Sequence, residues 1–439
     1  MAAGSRIDPS RWSATADALL DRVAGRFARP EARAHARSFV LGMLAELPRK
    51  NCWTLAEHAG QSSPDAMQHL LGRASWDTDG VRDDLRELVA EHLGDPAAVL
   101  MVDETGDLKK GAATVGVQRQ YTGTAGRVEN AQVAVYLTYA GPTDHAMIDR
   151  ELYLPKSWVS DPDRCAEAGV PAEVEFATKP ALAREMIVRA LEAGTPARWV
   201  AGDEVYGACP ALRGELETRR QGYVLAIGCD RRVTTSTATG PRRADEIAQG
   251  LPKGSWQRLS AGAGAKGHRL YDWAWVTLTS NNASSADQHG HWWLLVRRHR
   301  RSGELAYFRC YAPHPVALGE LVGVAGRRWT IEESFQASKN LAGLDEHQCR
   351  RWTSWRRWTV LAMLAHALLA VLAAIERAAH PPATGLIALT CNEIRRLLTT
   401  LIIEPARRVA DPQTWSTWRR RHQARARASH YRRQAAELT

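Results

Sequence analysis

Near residue 97 the apolar residues of this chain change their period, and the stretch that follows limits the fold more than any other. Strand-like runs occur at 98–103, 113–119 and 131–139, joined by short connections. Consecutive strands of this kind read as an antiparallel meander. Residues 141–178, rich in Pro and Asp, read as a loop region. A helical pattern at 180–194 then closes on Gly194, the type favoured just past a helix end. A strand at 197–207 reaches Asp203, a helix covers 209–222 and a strand 223–229. This order predicts an α/β fold, a mixed sheet with helices on both faces.

The flanks read differently. Residues 12–47 are helical, with Leu19, Leu20, Val23 and Phe27 at helical spacing and Pro30 interrupting the pattern. Residues 55–60 form a short helix closed by Gly60, and Ser63 and Pro64 open another. That is the outline of a helix-turn-helix, and any packed helix pair gives the same outline. Residues 230–318 are Gly-, Ser- and Thr-rich with alternating strands, and read as an all-β insertion. Residues 318–403 are helical again. One run there, 359–375, is apolar enough to imitate a membrane span. It is short for a bilayer, Ala-rich and interrupted by His366, so it reads as a buried helix. The expected organisation is therefore a helical N-terminal DNA-binding domain (1–95), a core in two parts (96–229 and 319–404) around the insertion (230–318), and a basic tail (405–439).

A net charge of +10 favours a polyanionic partner, nucleic acid before an anionic membrane, although solubility alone would also account for it. Seven cysteines, at 52, 165, 209, 229, 310, 349 and 391, show no zinc-ligand spacing. They read as reduced thiols of a cytosolic protein. The N-terminal residues lack the apolar stretch of a signal peptide.

Two carboxylates stand at expected strand ends. The apolar run Val99–Val102 stops on Asp103, and Asp203 follows "VAG". Such groups can converge at one sheet edge, and hard divalent cations take oxygen ligands. Two ions about 3.5–4 Å apart can activate an attacking oxygen and stabilise a leaving one in phosphoryl transfer. A third acid is expected on the helix "GRRWTIEESFQASKNLAGLD". Arg328, Glu332 and Lys339 share one stripe of it, whereas Glu333 is rotated by about 100°. Glu332 is the choice. Singly, each acid is also explained as a solvated surface group, a turn residue or half of an i, i+4 ion pair.

Together with "VDETGDLKKG", "ELYLPKSW", "EFATKPALAREM", "WVAGDEVYG" and "RWTIEESFQASKNLAGLDEHQCRRW", these residues resemble bacterial insertion-sequence transposases of the DDE superfamily. The resemblance runs from about residue 15 to 405. It implies a ribonuclease H-like catalytic core with a β-rich insertion before the last acid. It also implies Asp103, Asp203 and Glu332 as the catalytic acids holding Mg²⁺, with Mn²⁺ able to substitute. Many relatives carry Tyr, two residues, Arg, three residues, Glu, six residues, Lys. Arg328, Glu332 and Lys339 match, and Ala325 stands at the Tyr position. The implied reaction is hydrolysis at an element end, releasing a 3′-OH that attacks target DNA. The implied partners are double-stranded DNA, as terminal inverted repeats and target, and a second copy of the chain in the synaptic complex. No membrane or nucleotide cofactor is implied, and no phosphate-binding Gly-Lys loop occurs. The implied location is cytoplasmic, with the bacterial nucleoid.

Phosphate contacts are expected from Arg328 and Lys339, and from Arg350, Arg351, Arg356 and Arg357, which interleave with Trp352, Trp355 and Trp358. The Trp stripe reads as core. Trp292 and Trp293 could stack on an unpaired base or fill a sheet. The Arg-rich tail could bind DNA or stay solvated. Two other functions fit the same residues: a nuclease of this fold without strand transfer, and a DNA-binding regulator derived from a transposase.

Overall fold

A computed structural model describes residues 7–264, 267–279, 290–380, 386–406 and 410–437. Five helices come first: α1 (Pro9–Arg22), α2 (Pro30–Leu44), α3 (Cys52–His58), α4 (Asp65–Gly72) and α5 (Thr78–Leu93). Local chemistry sets their starts. Asp8 caps α1 by accepting from the backbone N–H groups of Ser10 and Arg11. Asn51 and Thr54 form a reciprocal capping box on α3. Pro30, where the helical pattern is interrupted, is the first residue of α2, a position at which its missing N–H costs nothing.

Next come β1 (Val99–Leu108), β2 (Gln118–Thr122), β3 (Arg127–Ala140) and β4 (His145–Leu152). The chain continues through α6 (Lys156–Val159), α7 (Pro162–Ala168), α8 (Lys179–Glu192), β5 (Trp199–Gly202), α9 (Glu204–Gly207), α10 (Pro210–Thr218) and β6 (Gly222–Ile227). Then follow β7 (Arg232–Val233), β8 (Arg242–Arg243), α11 (Ala244–Gln249), β9 (Gln257–Gly264), β10 (Gly267–Leu278), β11 (His291–Arg298) and β12 (Leu305–Ala312). The last helices are α12 (Leu318–Arg327), α13 (Trp329–Ala342), α14 (Trp352–Ala379), α15 (Cys391–Leu398) and α16 (Pro412–Glu437).

The chain divides into two compact units, Leu85–Gln336 and the combination of Met1–Asp84 with Ala337–Thr439. The first is built on one mixed sheet. Strand β1 lies antiparallel to β3 and parallel to β5, β5 is parallel to β6, and β4 lies antiparallel to β3. The order β4–β3–β1–β5–β6, antiparallel across β4, β3 and β1 and parallel across β1, β5 and β6, is the ribonuclease H-like arrangement. The far edge of the long β3 is shared, with β2 along Arg127–Ala131 and β4 along Ala134–Ala140. Beyond β6 the insertion continues this same sheet in the order β12, β11, β10, β9. It also contains the helix α11, so it is β-rich rather than all-β. Helix α8 packs on β1, β3 and β4, and α12 packs on β5, β6 and β9.

Two local expectations are corrected. Residues 113–117 are not a strand. Val115 and Val117 are buried, but Gly116 between them has φ +73 and turns the chain, so β2 starts only at Gln118. Within 141–178, read as loop, lies the buried strand β4.

The second unit surrounds α14, whose middle is apolar on every side and must be enclosed. It contacts α1, α2, α4 and α15. By length and hydropathy α14 could cross a membrane, but 89% of its most apolar stretch is buried inside the protein. Its polar anchors are specific: Trp12 Nε1 donates to Glu376 Oε1 at 2.6 Å, and Trp358 Nε1 to the Gly343 carbonyl at 3.1 Å. Trp352, Trp355 and Trp358 are all buried, as expected of a core stripe.

Candidate active site

Strand pairing brings the first two acids level. Val99–Val102 of β1 pair residue by residue with Trp199–Gly202 of β5, ending at Val102 opposite Gly202. Asp103 and Asp203 are the next residues on these parallel neighbours. Strand β5 stops there, because Asp203 turns the chain into α9 and caps it, accepting from the Val205 N–H at 2.8 Å. Strand β1 does not stop. It runs on against β3 to Leu108, with Asp103 opposite Tyr136. Asp103 therefore ends the apolar run and the β5 pairing but not the strand. Helix α9 presses closely on the sheet: a Cβ at Gly207 would sit 1.8 Å from the Ala226 carbonyl oxygen, so only glycine fits.

The third acid comes from α13. Arg328, at the junction of α12 and α13, points one guanidinium nitrogen at Asp103 Oδ2 (3.4 Å) and another at Glu332 Oε1 (3.7 Å). Glu332 sits one helical turn beyond Arg328 and is partly exposed, and Glu333 is exposed. Arg328, expected on DNA phosphate, is thus engaged by two carboxylates. Burial raises the Asp103 carboxyl to about 7, reinforced by the charge of Asp203 and opposed by Arg328. Burial also raises Asp203, with the charge of Glu104 next in size.

A second group of residues, quoted from the sequence but given no role there, braces these acids. Glu104 accepts a 2.6 Å hydrogen bond from the buried Tyr206 hydroxyl and a 2.7 Å ion-paired bond from Lys179 Nζ. Lys179 opens α8, where the helix dipole disfavours a cation, and the Glu104 carboxylate offsets that. Glu104 follows Asp103 directly and Tyr206 lies one turn past Asp203. The Glu104–Tyr206 bond therefore ties together the two chain segments that carry the acids.

The donor set suits a hard divalent cation: oxygen ligands only, desolvated, with like charges that a cation would relieve. Among the described residues no three potential ligands are already drawn into coordination range, and Arg328 stands between Asp103 and Glu332.

The remaining expected site residues lie in the α14 unit, and Lys339 is two turns along α13 from Glu332. Arg350 and Arg351 are exposed and line a cleft of about 940 Å³ with Asn51, Trp53, Gln68 and Arg419. Arg356 is paired with Asp79 and lies over the Trp352 ring. Arg357 is a correction. It is buried, and its guanidinium donates to the carbonyls of Leu70, Leu71 and Ala74, which leaves no face for phosphate. Trp292 and Trp293 are buried too, packed against Tyr311 and Trp275, so they fill the sheet rather than await a base.

A mixed sheet with carboxylates level on adjacent parallel strands and a third acid on a following helix is a donor arrangement that could hold divalent cations for phosphoryl transfer. Residues 22–279, more than half of the chain, match the family described as DDE superfamily endonuclease, and the chain belongs to that family. A curated relative is the probable transposase for insertion sequence element IS701 of Microchaete diplosiphon. It is 30% identical over 190 residues, which cover 43% of this chain. The chain spans about half of that relative's length, 47%. Among solved structures, a cryo-EM piggyBac transposase synaptic complex with hairpin DNA is similar at TM-score 0.45 and 10% identity, over 94% of this chain and 84% of that one.

Proposed function

We propose that the chain is a DNA transposase that cuts at the ends of an insertion sequence and joins the resulting 3′-OH ends to target DNA. The observation that carries this is the placing of Asp103 and Asp203 at one level of two adjacent parallel strands, with Glu332 tied to Asp103 through a shared Arg328. In this proposal Asp103, Asp203 and Glu332 hold Mg²⁺, or Mn²⁺ in its place. The ions supply activation of the attacking oxygen and stabilisation of the leaving one.

The chain's own residues do the rest. Asp103 and Asp203 bind; the Glu104–Tyr206–Lys179 brace fixes the backbone on which they stand. Arg328 neutralises the acids and presents a guanidinium to any phosphate that approaches them. Lys339, Arg350, Arg351 and Arg356 contact phosphate, and the N-terminal helices read the terminal inverted repeats. Two ends must be held together, which assigns the synaptic complex to a pair of copies. The location is the bacterial cytoplasm, with the nucleoid.

The test is an assay with labelled element ends, intact and pre-cut, in Mg²⁺. Wild type is expected to cut and to give joined product, and Asp203→Asn and Glu332→Gln to give neither. Cutting without joined product from pre-cut ends would reject transposition in favour of a nuclease. Full activity in both variants would reject the site.

A further inference from the structure

The basic C-terminal segment is a helix rather than an irregular tail, and only its first half is held by the protein. Trp415 of α16 is buried and donates to the Gln61 carbonyl at 2.7 Å. Trp418 and His422 meet Trp53 edge-on at 4.6 and 4.8 Å, and Arg419 pairs with Glu57 at 3.0 Å. The helix continues to Glu437, and from Gln423 to Arg433 its side chains are almost wholly exposed.

Its charge is one-sided. No Asp or Glu occurs between Pro412 and Ala436. At about 100° per residue, Arg420, Arg421, Arg425, Arg427 and Arg432 fall in one sector roughly 160° wide, outside the arc of Trp415, Trp418 and His422. All five are exposed. Among the described residues none of the five has a carboxylate partner. Arg421 and Arg425 are a like-charged i, i+4 pair, which opposes helix formation. An exposed segment of this length is marginal in water on propensity alone. A polyanion laid along it would remove that repulsion.

We infer that the outward face of α16 is a binding surface for the phosphate backbone of duplex DNA, independent of base sequence. It rests on the proposal that this chain acts on DNA, and adds to it an anchoring element remote from the acids in sequence. From Arg420 to Arg432 the helix rises about 18 Å, at 1.5 Å per residue, and duplex DNA offers one charge per about 1.7 Å of axis. A helix 10–12 Å across also fits a groove about 12 Å wide. A membrane surface is the poorer match: past His422 the helix carries Ala424, Ala426, Ala428 and one exposed Tyr431, and no apolar stripe. Arg350, Arg351 and Arg419, which line the cleft beside Trp53 in the same unit, extend the basic surface.

The experiment uses the full chain and a labelled 40-base-pair duplex without element ends, followed by fluorescence anisotropy at several salt concentrations. One variant carries Gln at Arg420, Arg421, Arg425, Arg427 and Arg432, which keeps helix propensity and removes charge. A second carries Lys at the same five positions. Five phosphate contacts correspond to about 4–5 units of slope in log affinity against log salt. The Gln variant is expected to lose most of that slope, with unchanged helix content by circular dichroism, and the Lys variant to keep it. A slope change below one unit in the Gln variant overturns the inference, as does a Lys variant as weak as the Gln variant. So does tighter binding of wild type to anionic vesicles than to the duplex. The two proposals fail separately. Wild type that cuts element ends while the Gln variant binds unchanged sinks only the helix surface. Wild type that binds through α16 but never cuts sinks only the catalytic assignment.

Discussion

Asp103 works against the stability of the metal-free protein, and replacing it should make that protein harder to melt. Its carboxyl is raised from 3.8 to about 7, first by burial and then by Asp203. Its side chain is only 17% exposed, so solvent screens little of this. A folded-state pKa above the unfolded value means that the contribution of Asp103 is whole below about pH 4 and lost as pH climbs through 7. At 1.36 kcal/mol per unit the shift corresponds to about 4 kcal/mol, and partial solvation brings the expected cost at pH 8 to about 2–4 kcal/mol. Asp103→Asn removes the charge with little change of shape, and leaves Arg328 its partner Glu332. Melting of wild type and variant in EDTA, from pH 4 to 8, should show no difference at pH 4 and a growing one above pH 5. At pH 8 the variant should melt about 4–16 °C higher, since about 2–4 °C accompanies each kcal/mol in a unit of this size. Mg²⁺ should raise the melting temperature of wild type and leave the variant unmoved. A variant that melts at or below wild type at pH 8 in EDTA would refute the reasoning, because Arg328 would then have outweighed burial and Asp203.

Tyr206→Phe keeps the buried ring and deletes the hydroxyl that bonds Glu104; denaturant unfolding should show a loss of about 1.5–3 kcal/mol, and single-turnover cutting should slow with DNA affinity unchanged. Arg357→Met keeps the apolar stem and strands three carbonyls, so it should destabilise the α14 unit by about 3 kcal/mol in the same measurement while leaving the salt slope of DNA binding untouched. A fall of that slope by a full unit would return Arg357 to the phosphate contacts.

What could be seen from the sequence depended on whether partners were near in the chain. Val99–Val102 are buried on both faces of β1, so their apolar run announced the strand, and pairing with β5 then made the placing of Asp103 and Asp203 legible. Strand β4 was hidden because its buried residues include Asp149 on one face and Arg150 on the other, with Asp149 bonded to Arg189 of α8. Charged residues look like loop until their partners are known. The alternation of Val115 and Val117 misled for the opposite reason, since burial in a turn looks like burial in a strand. Glu104 carried no signal because its two partners lie 75 and 102 residues away. In "CRRWTSWRRWT" Arg356 and Arg357 are equivalent in sequence, and only the helix phase of α14 turns one toward Asp79 and the other into the core.

Arg328 has one more consequence. By answering two of the acids with a cation that belongs to the chain, the protein offsets part of their repulsion with no ion bound. Small metallo-domains gain their folded state from the ion itself, and chelators unfold them. Here the proposed ion would trade places with a guanidinium that the chain already holds against the same carboxylates.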